Sequence, residues 1–178
     1  MGNFYTNITL RTAEPTAVAA VLRQAGRAAF VAPDHPGGIT VYDERCETQD
    51  PRVLSELTAA LSEHFACPAL AVLNHDDDIL ALALYGQGRL IGDFETGHAD
   101  SFPVASLCRA WDRAATAPLV WLLLRSPRPF FEVIRHRWLT RSLGLPTWSV
   151  GTGFRYLAQG EFPQGLTLTA LIDTRSPG

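Results

Sequence analysis

The sequence predicts an α+β fold: a ferredoxin-like βαββαβ sheet unit, extended by a hairpin to about six mostly antiparallel strands, with a helical C-terminal layer. Three observations predict it. Strand-like and helix-like patterns follow one another in the order β-α-β-β-α-β from Asn3 to Leu73. The next stretch, "ILALALY" (Ile79 to Tyr85), is apolar at every position, whereas a strand with one wet face alternates. The last third of the chain then reads as successive helices, which supply the cover such a strand needs.

Each element has a local reason. "NFYTNITLRT" (Asn3 to Thr12) alternates and is rich in β-branched and aromatic residues, so it reads as a strand. "AEPTAVAAVLRQAG" places Val18, Val21 and Leu22 at helical spacing and stops at Gly26. "RAAFVAP" and "ITVYDE" form a strand pair around the turn cluster "PDHPGG". In "DPRVLSELTAALSEHF", Asp50 is the N-cap, Pro51 the first helical residue, and Val53, Leu54, Leu57, Leu61 and Phe65 one face. "PALAVL" is the fourth strand, "NHDDD" a connection, "ILALALY" the fifth strand, and "RLIGDFE", beyond the turn "GQG", the sixth.

"TGHADSFP" (Thr96 to Pro103) is a polar junction, dividing a sheet unit at 1–95 from a helical layer at 96–178 that packs on it as part of one domain. "VASLCRAWDRA" and "APLVWLLLRS" read as helices. "SPRPFFEVIRHRWLTRSLG" reads as a longer helix in which Phe130, Ile134 and Trp138 form one stripe and Gly144 the stop. "LPTWSVGTGFRYLAQGE" is expected to be a further helix over 147–160, despite Gly151 and Gly153. The tail at 166–174, "GLTLTALID" followed by Thr174, suits either a strand or a helical end.

The 178 residues are 47% apolar and 19% charged, enough to bury a sizeable core. The longest apolar run, "APLVWLLL", is too short to span a bilayer. "MGNFYTNITLRT" lacks the basic start and apolar core of a secretory signal. It fits a loose N-myristoylation pattern, but the same residues open a strand. Three scattered cysteines, Cys46, Cys67 and Cys108, form no disulfide framework and no zinc-ligand pair. A cytoplasmic location is therefore expected. All fifteen basic residues are arginine and alanine is abundant, as in a GC-rich bacterial genome.

Charge is polarised along the chain. Residues 1–100 carry six arginines against fourteen acids, and residues 101–178 nine arginines against four. Such a split means that the halves attract each other or face different partners.

Two clusters invite chemistry. In "HDDD", Asp76 and Asp78 are two apart and project to one side in extended backbone, as a D-x-D pair does for Mg²⁺. That would suit a metal-dependent phosphoryl or nucleotidyl enzyme using Asp76, Asp77 and Asp78. However, the first strand contributes no acid, no glycine-rich phosphate loop is present, and aspartates are ordinary hairpin-turn residues. His75 has no second histidine at a ligand spacing. The other cluster is basic: Arg125, Arg128, Arg135, His136, Arg137 and Arg141, opposed only by Glu132. With a break at "LP" it resembles a helix pair able to enter a DNA groove, and Arg128, Arg135, Arg137 and Arg141 are the candidate contacts. "TWSVGTGF" offers few base-reading groups, and arginines on a solvated helix are the plainer alternative. No G-x-S-x-G elbow, cysteine–base pair or dinucleotide fingerprint assembles a catalytic set.

The expectation is thus a protein without catalysis or cofactor of its own that binds another macromolecule, another protein before nucleic acid, through the acidic face of its first half. Its oligomeric state is open.

Overall fold

Six consecutive residues rich in β-branched and aromatic side chains, "YTNITL", make strand β1 (Tyr5–Leu10), and all six are buried. A strand buried on both sides lies at the centre of its sheet. In the computed structural model, which describes residues 2–98, 101–126 and 131–175, the sheet indeed builds outward from β1.

Helix α1 (Pro15–Gln24) starts where the Glu14 carboxylate accepts the N–H groups of Thr16 (3.2 Å) and Ala17 (2.9 Å). Strands β2 (Ala29–Val31) and β3 (Ile39–Asp43) follow as an antiparallel pair. Helix α2 (Pro51–His64) begins at Asp50, which accepts the N–H of Arg52 at 2.9 Å, with Pro51 behind it. Strands β4 (Pro68–His75), β5 (Ile79–Gly86) and β6 (Arg89–Glu95) form a meander. Four helices come next: α3 (Val104–Ala110), α4 (Ala117–Arg125), α5 (Glu132–Leu143) and α6 (Phe154–Ala158). The two-residue strand β7 (Ile172–Asp173) closes the described chain.

The fold is α+β, with six α-helices among the described residues and one seven-stranded antiparallel sheet in the order β6-β5-β4-β1-β3-β2-β7. The count exceeds the expected six because the tail turns through Leu168–Ala170 and adds β7 beside β2. Among the described residues, no helix is long and apolar enough to cross a membrane.

The two faces of the sheet carry separate layers. On one, Ile8, Leu10, Val41, Ala69, Ala71 and Leu73 pack with Val18 and Leu22 of α1 and Leu54, Leu57 and Leu61 of α2. On the other, Leu70, Val72, Leu80, Leu82 and Leu84 pack under Val104, Leu107, Trp111, Val120, Leu124, Leu139 and Leu143 from α3, α4 and α5. The apolar β5 is therefore covered by the C-terminal helices on its leucine side. Its other side is only half covered: Ile79, Ala81 and Ala83 are partly exposed, the two alanines lying at the margin of the α2 cluster.

Polar anchors fix the second layer to the sheet. Asn7 donates to the carbonyls of Ser149 (2.7 Å) and Thr152 (3.2 Å), and the Tyr42 hydroxyl donates to the Trp148 carbonyl (2.9 Å). The Trp111 indole donates to the Gly37 carbonyl at 2.8 Å. Beside β2, the Arg27 guanidinium grips the buried Asp43 carboxylate at 2.5 and 2.9 Å.

Two helical expectations are corrected. Residues 147–160 do not form one helix. Thr147–Ser149 make a 3-10 turn, Gly151 then adopts φ 73°, and α6 starts only at Phe154. Glu47 takes over at that point, accepting the Phe154 N–H at 2.8 Å. The side chain of Glu47 lies so close to Gly153 that a Cβ there would sit 2.3 Å from its Oε1. The second correction concerns α5. The spacing of Ile134 and Trp138 is helical as predicted, but both are exposed, and the inner face is Glu132, Arg135, His136, Leu139, Thr140 and Leu143. Phe130 of the expected stripe lies outside the described residues.

The unequal cover on β5 is testable. Leu82→Ala is expected to destabilise the protein by about 2–5 kcal/mol in urea unfolding. Ala81→Ser, on the half-covered side, should stay within about 0.5 kcal/mol of the parent. Equal costs would contradict this layering.

Candidate functional site

The aspartates form the turn between β4 and β5. Asp76 and Asp77 both have positive φ (54° and 57°), and the Asp78 N–H donates to the His75 carbonyl at 3.0 Å. This matches the type I′ geometry that hairpins favour and aspartate tolerates. Asp77 turns inward. Its carboxylate accepts the Asn3 N–H (3.1 Å), the Asn3 amide (2.9 Å) and the Asn74 amide (3.1 Å), and its N–H donates to Asn74 Oδ1 (3.1 Å). The Asp77 carbonyl accepts the Glu132 N–H at 2.8 Å, tying the start of α5 to the hairpin. Asp76 accepts the Gly2 N–H at 3.1 Å, and His75 Nδ1 lies 2.5 Å from Gln49 Oε1. Among the described residues, no group of three or more His, Cys, Asp and Glu side chains is placed to hold a metal ion.

The hairpin network continues into the second layer. Asn74 also donates to the Tyr5 hydroxyl at 3.2 Å, and that hydroxyl lies 2.8 Å from His136 Nδ1. Tyr5 and His136 are fully buried, and His136 Nε2 has no hydrogen-bond partner. Burial pushes the Tyr5 phenol up and pulls the His136 imidazole down to about 3, so His136 is neutral. Nothing in "IRHRW" distinguished this histidine from the arginines around it. Its alignment with Leu139 and Leu143 on the inner face was the available signal.

The candidate arginines divide. Arg135 is buried, gripping the buried Glu132 carboxylate at 2.7 Å. It also donates to the carbonyls of Leu123, Leu124 (3.2 Å) and Ser126 (3.3 Å). It therefore caps the end of α4 instead of meeting solvent. Arg137 and Arg141 are exposed and line a cleft of about 150 Å³ with Thr140, Thr147 and Val150. Arg128 lies outside the described residues. The aspartate turn touches the start of α5, while Arg137 and Arg141 stand further along that helix, so the two clusters do not combine into one site.

The most unusual surface is the outer side of α4 and α5. Helix α4, "APLVWLLLR", contains no polar residue before its final arginine. Val120 and Leu124 enter the core, but Leu119 (56% exposed), Trp121 (50%) and Leu122 (60%) face outward. Alongside them on α5 stand Ile134 and Trp138, with Phe131 just before the helix, all three exposed. Between the two helices runs a groove of about 290 Å³ lined by Leu119, Leu122, Leu123, Ser126, Trp138 and Ser142. The first four recur at i, i+3, i+4 and i+7, a single stripe of α4 continued to its C-cap. Arginines border this face: Arg125 stacks 4.6 Å from the Trp121 ring centre, and Arg141 lies 5.7 Å from that of Trp138. From Arg113 to Gly160 the sequence holds one acid, Glu132, and it is buried against Arg135.

Two outcomes follow for the buried network. Asp77→Ala leaves three donors of Asn3 and Asn74 without their acceptor and is expected to lower unfolding free energy by about 1–3 kcal/mol. The folded His136 takes up a proton only near pH 3, below its ordinary 6.5, so the unfolded chain binds it first as pH falls. Stability is complete above about pH 6.5 and is lost toward pH 3, with His136 contributing about 1.4 kcal/mol per pH unit inside that window. His136→Gln should flatten the pH dependence of the unfolding free energy, obtained from urea titrations, within that window; an unchanged slope would contradict a buried neutral imidazole. The chain matches no family model, no curated protein and no solved structure.

Proposed function

We propose that this is a non-catalytic binding protein that docks on another macromolecule through the outer face of α4 and α5. The observation that carries this reading is the exposure of Leu119, Trp121, Leu122, Phe131, Ile134 and Trp138 on neighbouring elements. Scattered surface leucines are ordinary, but Leu119, Leu122 and Trp138 meet along one groove, and large apolar side chains gathered in that way mark interaction surfaces. Two of the six are tryptophans, a residue enriched where binding energy concentrates.

The reading extends to the architecture and setting. Chain order β1-α1-β2-β3-α2-β4 and spatial order β4-β1-β3-β2 support a ferredoxin-like inner unit, to which β5, β6 and β7 are additions. The shared core under β4 and β5 supports a single domain in which 96–178 form the second layer on a 1–95 sheet unit. Three buried cysteines, all free thiols, support a reducing cytoplasm. The binding surface, however, is the basic second layer and not the acidic first half.

Nucleic acid is the second reading, favoured by the exposed pair Arg137 and Arg141 beside an open cleft. It is weaker because Arg135 is committed internally and because exposed leucines suit a phosphate backbone poorly.

The test is native mass spectrometry of the tagged protein purified from its own organism, with and without nuclease. A Leu122→Glu, Trp138→Glu double variant is expected to lose a stoichiometric, nuclease-resistant complex, at a cost of about 2 kcal/mol or more. Glu56→Ala, on the opposite layer, should retain it. A complex unaffected by the double variant overturns the assignment of this face; one abolished by nuclease transfers the function to nucleic acid.

A further inference from the structure

Resting on that reading, we propose that the groove between α4 and α5 receives an amphipathic helix of another protein, leucine-rich on one face and acidic along its flanks. The geometry supplies the first half of the argument. Two packed helices present parallel ridges with a trough between them, and a third helix lays its own ridge into such a trough. Here the trough is apolar along its walls, and small hydroxyl residues, Ser126 and Ser142, leave room within it. Its volume of about 290 Å³ falls at the low end of small-molecule pockets, which run from about 300 to 1,000 Å³. It suits a few inserted side chains better than an enclosed ligand.

Charge supplies the second half. The wall residue Trp138 carries Arg141 on its ring, and Arg137 stands one turn before Arg141. The only carboxylate in the segment from Arg113 to Gly160 is already neutralised inside the protein. An incoming helix with glutamate or aspartate beside its apolar stripe therefore meets Arg137 and Arg141 along the Trp138 wall, the exposed Asp76 and Asp78 standing at the far, N-terminal end of α5. One with lysine or arginine there is repelled. The same argument disfavours a second copy of this chain on this face, because a two-fold pairing of α5 with itself would bring Arg137 and Arg141 against their own equivalents. The remaining helices of the chain do not offer an alternative occupant, since α1 and α2 already bury their apolar faces against the sheet.

The occupant can be tested with synthetic probes. Two fluorescent helical peptides of about five turns share a leucine stripe and differ only in a glutamate or a lysine polar face. Phosphatidylcholine vesicles, with and without phosphatidylglycerol, provide a lipid arm. Fluorescence anisotropy on the whole protein is expected to show the acidic peptide binding at least ~10-fold more tightly than the basic one. Leu122→Glu should weaken it by at least ~10-fold, and a double Arg137→Gln, Arg141→Gln variant should remove most of the preference for the acidic peptide. All three positions are exposed, and unchanged thermal unfolding of the variants confirms that folding is not the cause. Equal binding of the two peptides, binding unaffected by Leu122→Glu, no binding of either, or engagement of anionic vesicles in place of peptide each overturns the acidic-helix occupant. The assignment of the face itself stands or falls separately, on the double-variant experiment with the native complex.

Discussion

The structure depends on a sheet that is apolar on both faces at its centre. β1 is buried at every position, and β4 and β5 send Leu70, Val72, Leu80, Leu82 and Leu84 to one side and Ala69, Ala71, Leu73 and Tyr85 to the other. One helical layer, α1 and α2, follows directly from the βαββαβ order and covers one face. The other face would be left wet without the last third of the chain. Burial at about 25 cal/mol per Å² drives those helices onto it, but hydrophobic attraction has no direction. Direction comes from polar groups set within the apolar face: Asn7 holds two carbonyls ahead of α6, Tyr5 meets His136, and Asn74 and Asp77 tie the hairpin to the start of α5. Buried polar groups that find partners specify one arrangement among many that apolar packing would accept.

That division of labour explains why α5 is built inside out. Its inward face carries Glu132, Arg135, His136 and Thr140 beside Leu139 and Leu143, because this face must close α4, receive Tyr5 and continue the hairpin network. The Arg135–Glu132 pair illustrates the constraint. Burying two charges costs several kcal/mol per ion unless both find partners; here Arg135 meets a carboxylate and the carbonyls at the end of α4 together. With its inner face so occupied, the helix presents Ile134 and Trp138 to the outside.

Much of the fold was legible because it rests on local chemistry. Pro51 behind Asp50, the β-branched and aromatic content of "YTNITL" and the left-handed stop at Gly144 act within a few residues, and all operate as read. What was not legible depends on long-range partners. The helix expected over 147–160 is interrupted because Glu47, more than a hundred residues earlier, occupies the space beside Gly153 and caps α6 itself. The orientation of α5 could not be recovered from spacing, since Ile134 and Trp138 have the same period whether they point in or out. Periodicity locates a stripe; only the neighbours decide which stripe is buried. The aspartates show the same limit, because Asp76, Asp77 and Asp78 read alike in sequence while the fold turns Asp77 alone inward.

A protein that breaks a local rule at one place without compensation elsewhere points to a requirement outside its own stability. α5 breaks the amphipathic rule on both faces, and only the inner violation has an internal explanation in the Tyr5, Asp77 and α4 contacts. α4 is the sharper case. No buried polar group forces Leu119, Trp121 or Leu122 outward, and polar residues at those positions would cost the core nothing. Apolar side chains kept there raise the hazard of nonspecific association. The arginines at the margin reduce that hazard, since like-charged copies repel. An apolar face bordered by one sign of charge resists pairing with the same face of another copy, because the arginines of the two would meet.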